Sequence, residues 1–335
     1  MPVASESVQH IDDMLAAVGM VHGHRRTRKA VALSQLPGRR TRKAVPASPL
    51  QTVQPAGWDV FPWLVSGFST RPGGSSTVYS ADRATGELNL GYTEADSRTH
   101  VERNRKQLLR HLASAKPAAK LVTLKQVHSG LIRRVTKVNA AAMASLKGDG
   151  LITKEPGLLL AMQTADCVPV LVVDPVNRAV GAFHAGWRGT AQRIVERGIG
   201  LMRAEFGSDP SLLHAAIGPA IGQCCYSVGE ELVHEFDSQF AYSRELFREV
   251  YDSDVVKLKY PLLFLTARAP GHSNIGPQTH LDLPEANRRQ LLDAGLQSAH
   301  IWSSGECTAC HTEKYFSHRG EHGFTGRMLS VVGVK

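Results

Sequence analysis

Three short apolar runs at the centre of the chain constrain its fold more than any other feature. Leu158 to Met162, Val168 to Val173 and Ala179 to Phe183 contain no charged residue and are partly β-branched. Runs this short, with no alternating polar face, read as strands covered on both sides. The third leads into Ala185-Gly186-Trp187-Arg188-Gly189-Thr190, and a helical stretch follows to Phe206. A strand that breaks into glycines and restarts as a helix points backbone N–H groups at whatever sits there.

Elements of both kinds flank this centre. Val65 to Thr70 reads as a strand running into a turn at Arg71-Pro72-Gly73-Gly74. Val101, Leu108 and Leu112 fall at helical spacing, and Leu121 to Val127 and Leu131 to Val138 are strand candidates. Asp282-Leu283-Pro284-Glu285 has the marks of a helix start, with an N-cap acid, proline in the first turn and glutamate at N3. Gly295 is placed to end that helix. The mixture of strands and helices points to an α/β or α+β fold, with no solenoid-type repeat.

Residues 1–55 are expected to form a disordered basic tail. Arg-Arg-Thr-Arg-Lys-Ala-Val occurs at 25–31 and again at 39–45, among several prolines. The first 50 residues hold eight Lys/Arg against three acids, so more than half of the formal +9 sits there. The remaining 285 residues carry only +4, which argues against a nucleic-acid-binding face on the folded part. Five cysteines are an odd number and not a disulfide framework, so reduced thiols in the cytoplasm are expected. Neither a signal peptide nor a membrane span is expected.

A catalytic zinc ion needs three protein ligands and an open position, and it favours imidazole nitrogen and thiolate. His128, Cys167 and His184 supply such a set, each at the end or start of a strand candidate. Spacing alone leaves a buried cysteine and two surface histidines as the plainer alternative. Cys307 and Cys310 form a CxxC pair, to which Cys224-Cys225 would have to add two ligands. Adjacent cysteines chelate one tetrahedral ion awkwardly, so these four are expected to be packed, reduced and inert. Arg71 and Arg188 sit beside glycines in turns, where a guanidinium suits a phosphate or carboxylate.

The residues also carry a family resemblance. Gly67-Phe68-Ser69-Thr70-Arg71, Leu88-Asn89-Leu90-Gly91, Gln126-Val127-His128 and Gly148-Asp149-Gly150-Leu151 occur in order. Thr164-Ala165-Asp166-Cys167-Val168-Pro169, His184 to Thr190, Ile217-Gly218-Pro219, Cys224-Cys225-Tyr226 and Thr325-Gly326-Arg327-Met328 follow. In these stretches the chain resembles the YfiH family, also called the laccase-domain or multicopper polyphenol oxidase family. Its members are described as purine nucleoside phosphorylases. The resemblance implies an α+β (mixed α/β) fold of mixed β-sheets flanked by helices, in a single domain over residues 56–335, a fold shared with bacterial toxin deamidases. It also implies zinc on His128, Cys167 and His184. Ser66 and His311 depart from the family pattern, in which histidine and aspartate are common at those places.

What the resemblance implies chemically is phosphorolysis of adenosine, inosine, guanosine or methylthioadenosine, with adenosine deamination as a second activity. Cys167, His184 and Asp166 are the expected catalytic residues, with Asp166 orienting a ligand or carrying a proton. Arg71, Arg188 and Asn89 are the expected substrate and phosphate contacts. A copper-dependent polyphenol oxidase is the alternative that the older family name suggests. Multicopper sites use about ten ligands, largely in His-x-His pairs. This chain has 15 histidines but one such pair, His22 and His24, in the expected tail. A cysteine hydrolase acting on cell-wall peptide precursors, with Cys167 as nucleophile, uses the same residues.

Overall fold

The computed structural model describes residues 49–80, 85–112, 119–250 and 278–335. The basic repeats and the His22/His24 pair lie outside the described residues. In chain order the strands begin β1 (Thr52–Val53), β2 (Leu64–Ser69), β3 (Pro72–Ser76), β4 (Lys120–Val122) and β5 (Ile132–Arg134). Next come β6 (Gly150–Thr153), β7 (Leu158–Thr164), β8 (Val168–Asp174), β9 (Ala179–Ala185) and β10 (His214–Ile217). The last are β11 (Ser227–Val228), β12 (Phe247–Val250), β13 (Gln278–Leu281), β14 (Ile301–Ser303) and β15 (Met328–Val334). Helices are α1 (Arg98–Leu112), α2 (Trp187–Ala191), α3 (Ile194–Phe206), α4 (Glu230–Gln239), α5 (Ser243–Leu246) and α6 (Leu283–Asp293).

Two mixed sheets carry the fold. One has the order β1-β2-β15-β7-β4 and the other β14-β10-β8-β9-β6-β5, while β11-β13-β12 form a small third sheet. The three central apolar runs are β7, β8 and β9, and every residue of β8 and β9 is buried. Alternation along these strands explains why. Leu158, Leu160 and Met162 of β7 meet Leu171 and Val173 of β8 in a core between the two large sheets. Leu159 and Ala161 point the other way, into a cluster with Leu108 of α1. Val168, Val170 and Val172 of β8 pack on Ile194, Ile199 and Met202 of α3 and on Leu291 of α6. The result is helix, sheet, sheet, helix, with both sheets covered on both faces.

Local sequence signals meet this architecture with some differences. Asp282 caps α6 by accepting from Glu285 N–H, with Pro284 in the first turn, and Gly295 follows the helix with a left-handed φ of 101°. Glu285 does not close a capping box; its carboxylate holds Arg288 and Arg289 instead. Pro72 to Gly74, expected as a turn, lie in β3, because isolated bridges from Pro72 and Ser76 to Glu87 hold the segment extended. Thr52 and Val53, expected in the tail, pair with Ser69 and Phe68 as an edge strand of the first sheet. At the end of the chain, where no strand is expected, β15 runs between β2 and β7 in the middle of that sheet. Among the described residues no helix is long and apolar enough to cross a membrane.

Leu160 is completely buried between the sheets. Leu160→Ala should therefore destabilise the protein by ~2–5 kcal/mol, measured by urea unfolding. A loss under ~1 kcal/mol would contradict the packed sandwich.

Candidate active site

Strand register places the central residues. Strands β8 and β9 are antiparallel, with Val168 opposite Ala185 and Pro169 opposite His184. Cys167, just ahead of β8, and His184, near the end of β9, therefore emerge at the same sheet edge. Strand β6 pairs with the other side of β9, Gly150 opposite Phe183, which sets Asp149 beside His184. The His184 backbone N–H donates to the Asp149 carbonyl at 2.7 Å, and His184 Nδ1 meets Asp149 Oδ1 at 2.9 Å.

Asp149 is fully buried, so its carboxylate needs partners on every lone pair. The backbone N–H groups of Val127, His128 and Ser129 donate to it at 3.2, 3.0 and 2.6 Å, and Ser129 Oγ donates at 2.7 Å. That contact curls the chain after Gln126 and holds His128 at a left-handed φ of 58°. One carboxylate thus positions both histidines.

The ligand atoms of His128, Cys167 and His184 lie within 4.8 Å of one another, and the two rings are 4.9 Å apart between centroids. Because His184 Nδ1 is engaged with Asp149, its other ring nitrogen faces the Cys167 sulfur. Burial pushes the Cys167 thiol up, but the His184 charge and hydrogen bonds from both imidazoles bring it down to about 6. Burial disfavours charge on His184, but the Cys167 thiolate and Asp149 raise it to about 9. Asp149 resists its own burial through the His184 and Ser129 hydrogen bonds and stays at about 2. Gly186 closes the arrangement. A Cβ there would lie 3.0 Å from both Cys167 Sγ and His128 Cδ2, so a larger residue would have to push one of these side chains aside.

The trio lines one side of a cleft of about 550 Å³, together with Gln163, Trp187, Arg188, Tyr226, Arg319 and Arg327. Arg188 is exposed and its guanidinium lies 4.2 Å over the Trp187 ring. Asp166 also reaches the cleft, but its carboxylate is engaged: Oδ1 accepts from Thr308 Oγ1 and Ser317 Oγ at 2.7 Å, and Oδ2 from Arg319 N–H at 2.6 Å. Its backbone has a left-handed φ of 89°. Two expected substrate contacts are placed elsewhere. Arg71 is buried and binds Glu87, Glu321 and the carbonyls of Thr312 and Tyr79. Asn89 is fully buried, bridging Asp96, Gly91 and Arg327 N–H. Neither lines the cleft. Ser66 pairs with Val332 inside the first sheet.

Several positioning groups were not singled out from sequence. Asp149 was visible only as part of a motif flanked by glycines. Asn287 and Gln290, buried on α6, donate to the Thr190 hydroxyl at 3.0 Å and its carbonyl at 2.8 Å, which anchors the glycine-rich turn after β9. Helical spacing would mark both as core-facing, but nothing in the spacing names Thr190 as partner.

Cys224, Cys225, Cys307 and Cys310, expected to be inert, converge as a second group, with sulfurs all within 4.8 Å of one another. Partial desolvation and contact with the other thiols raise the pKa values of Cys224 and Cys225. Burial also acts against Cys307, but N–H groups of Gly222 and Cys310 outweigh it and lower its pKa.

An α+β fold of two packed mixed sheets, with a thiolate and two imidazoles gathered at a cleft, defines the class of protein. The chain belongs to the family described as multi-copper polyphenol oxidoreductase laccase, whose model matches residues 65–335. It is similar to the purine nucleoside phosphorylase YlmD of Geobacillus stearothermophilus, 39% identical over 279 residues, covering 82% of this chain and 91% of that protein. It is also similar to the purine nucleoside phosphorylase YfiH of Escherichia coli strain K12, 31% identical over 245 residues, 73% of this chain and 85% of that one. The crystal structure of a Bacillus licheniformis hypothetical protein YfiH matches with a TM-score of 0.70 at 32% identity, over 87% of this chain and 97% of that one.

The metal-free protein should show the thiolate directly. The thiolate is lost as pH falls through about 6, so Cys167 alkylation should rise through that midpoint. An ordinary cysteine turns reactive near ~8.5. Peptide mapping after iodoacetamide pulses reads the profile, and an ordinary midpoint at Cys167 would show that the imidazole contacts are not made.

Proposed function

We propose that this chain is a zinc-dependent purine nucleoside phosphorylase. It cleaves adenosine, inosine, guanosine or methylthioadenosine with phosphate to the free base and ribose 1-phosphate, and it deaminates adenosine as a second activity. The observation that carries the reading is the His128–Cys167–His184 group opening onto a nucleoside-sized cleft. The curated relatives, named as purine nucleoside phosphorylases, support the substrate class.

The donor set fits zinc. One thiolate and two imidazoles match a catalytic site with a position left for water or substrate. The Asp149 contact fixes the His184 tautomer, as carboxylates behind metal-bound histidines do. Zinc held there supplies Lewis-acid chemistry at the cleft. Phosphorolysis forms a bond from a phosphate oxygen to the anomeric carbon as the glycosidic C–N bond breaks. The electron pair leaves with the base, which takes up a proton. Arg188, at the cleft and unburied, binds the phosphate and neutralises its charge. Trp187 and Tyr226 offer ring faces beside the base. Asp166, with three donors on its carboxylate, orients the Arg319 segment and is not the proton carrier. The protein acts in the cytoplasm, where its five cysteines stay reduced.

Adenosine turnover with and without phosphate tests the reading. Adenine forming only with phosphate supports phosphorolysis, and inosine without phosphate reports deamination. No turnover in zinc-loaded protein would sink the proposal. Loss of activity on chelation and its return with zinc excludes a metal-free cysteine hydrolase, and return with copper alone would favour the oxidase. Arg188→Ala should raise KM for phosphate ~10–100-fold, the scale of a lost charge-assisted hydrogen bond, and change kcat less. Asp149→Asn should weaken zinc binding ~10–100-fold, read by competition with a chromophoric chelator.

A further inference from the structure

We infer that Cys224, Cys225, Cys307 and Cys310 form a second metal site, a four-thiolate cage for one structural zinc ion. It is separate from the His128–Cys167–His184 group and shares no residue with it.

The fold builds the cage from two chain segments that leave one sheet side by side. Strands β10 and β14 are parallel, with Ala215 opposite Ile301 and Ile217 opposite Ser303. The pairing continues beyond them. Ala220 bridges Cys307, its N–H donates to the Glu306 carbonyl at 3.3 Å, and its carbonyl accepts from Thr308 N–H at 2.9 Å. Hydrogen bonds from Cys225 N–H and Tyr226 N–H to the Gly222 carbonyl, at 3.0 and 3.1 Å, curl the first segment. That turn removes the usual objection to adjacent cysteines, because both sulfurs end beside the same partner. Cys224 Sγ lies 3.5 Å and Cys225 Sγ 3.4 Å from Cys310 Sγ.

The distances suit a metal cage better than a disulfide. Zinc–sulfur bonds of ~2.3 Å in a tetrahedron put neighbouring sulfurs ~3.8 Å apart, whereas a disulfide needs ~2.05 Å. Cys310 Sγ is equally near two sulfurs, which suits a shared ion and singles out no covalent pair. Gly222 N–H donates to Cys307 Sγ at 3.2 Å, the kind of contact that favours a thiolate. A Cβ at Gly222 would sit 3.3 Å from Cys224 Sγ and 3.6 Å from Cys307 Sγ, so the backbone there is already against the cage wall. Cys224 and Cys310 are exposed, which gives an ion a way in.

An ion here would staple the two segments that support one wall of the cleft. Tyr226 follows Cys225 directly and lines the cleft, and Thr308, inside the CxxC pair, donates to Asp166. Ile221 N–H donates to the Asp166 carbonyl at 2.9 Å. The ion takes no part in the reaction.

Metal analysis of zinc-loaded protein tests this without any activity readout. Wild type should hold about two zinc ions per chain, and Cys167→Ala and Cys310→Ser about one each. Cobalt(II)-loaded Cys167→Ala should show the strong sulfur-to-cobalt absorption of a four-thiolate site, even if Cys310→Ser fails to fold. Cys167→Ala that binds no zinc or cobalt, or whose purified form has lost two of these thiols to a disulfide, would overturn the inference. The zinc count in Cys167→Ala is independent of whether wild type cleaves nucleosides.

Discussion

One buried carboxylate organises the centre of this protein. Asp149 has no exposed surface, and a carboxylate removed from water must find donors or lose its charge. It finds three backbone N–H groups, one hydroxyl and one imidazole. Satisfying that one group bends the chain at His128 into a left-handed conformation and fixes the ring of His184. The depressed pKa of Cys167 follows, since the sulfur then sits between two imidazoles inside a largely buried corner.

The sheets make such a corner possible. Strands covered on both faces leave their ends as the natural place for polar groups, and β6 and β8 start where β9 finishes. Helix α6 contributes from the opposite side through Asn287 and Gln290, which hold the turn after β9. The position of the trio therefore rests on packing at a distance as much as on its immediate contacts.

Partners far away in sequence decide where several of the expected site residues lie. Arg71 beside glycines and Asn89 within a motif have the chemistry of substrate contacts, but each meets structural partners first. The partners of Arg71 include Glu321 and Thr312, some 250 and 241 residues away. A guanidinium with such partners at hand in a buried setting is committed to them. The four cysteines show the converse, since residues distant in sequence are brought together. Their spacing looks poor for a common partner, and only the parallel run of β10 beside β14 brings the halves together.

The sequence by itself determined the doubly covered central strands, the capped start of α6, the side-chain types of the His128–Cys167–His184 group and the family, because periodicity, end groups and side-chain chemistry are local properties. Only the tertiary structure decided which residues meet. It made Asp149 the common partner of both histidines, turned Arg71 and Asn89 inward, placed β15 mid-sheet and gathered four sulfurs. Those outcomes depend on strand register and layer packing between segments far apart in the chain, and no local pattern encodes a register.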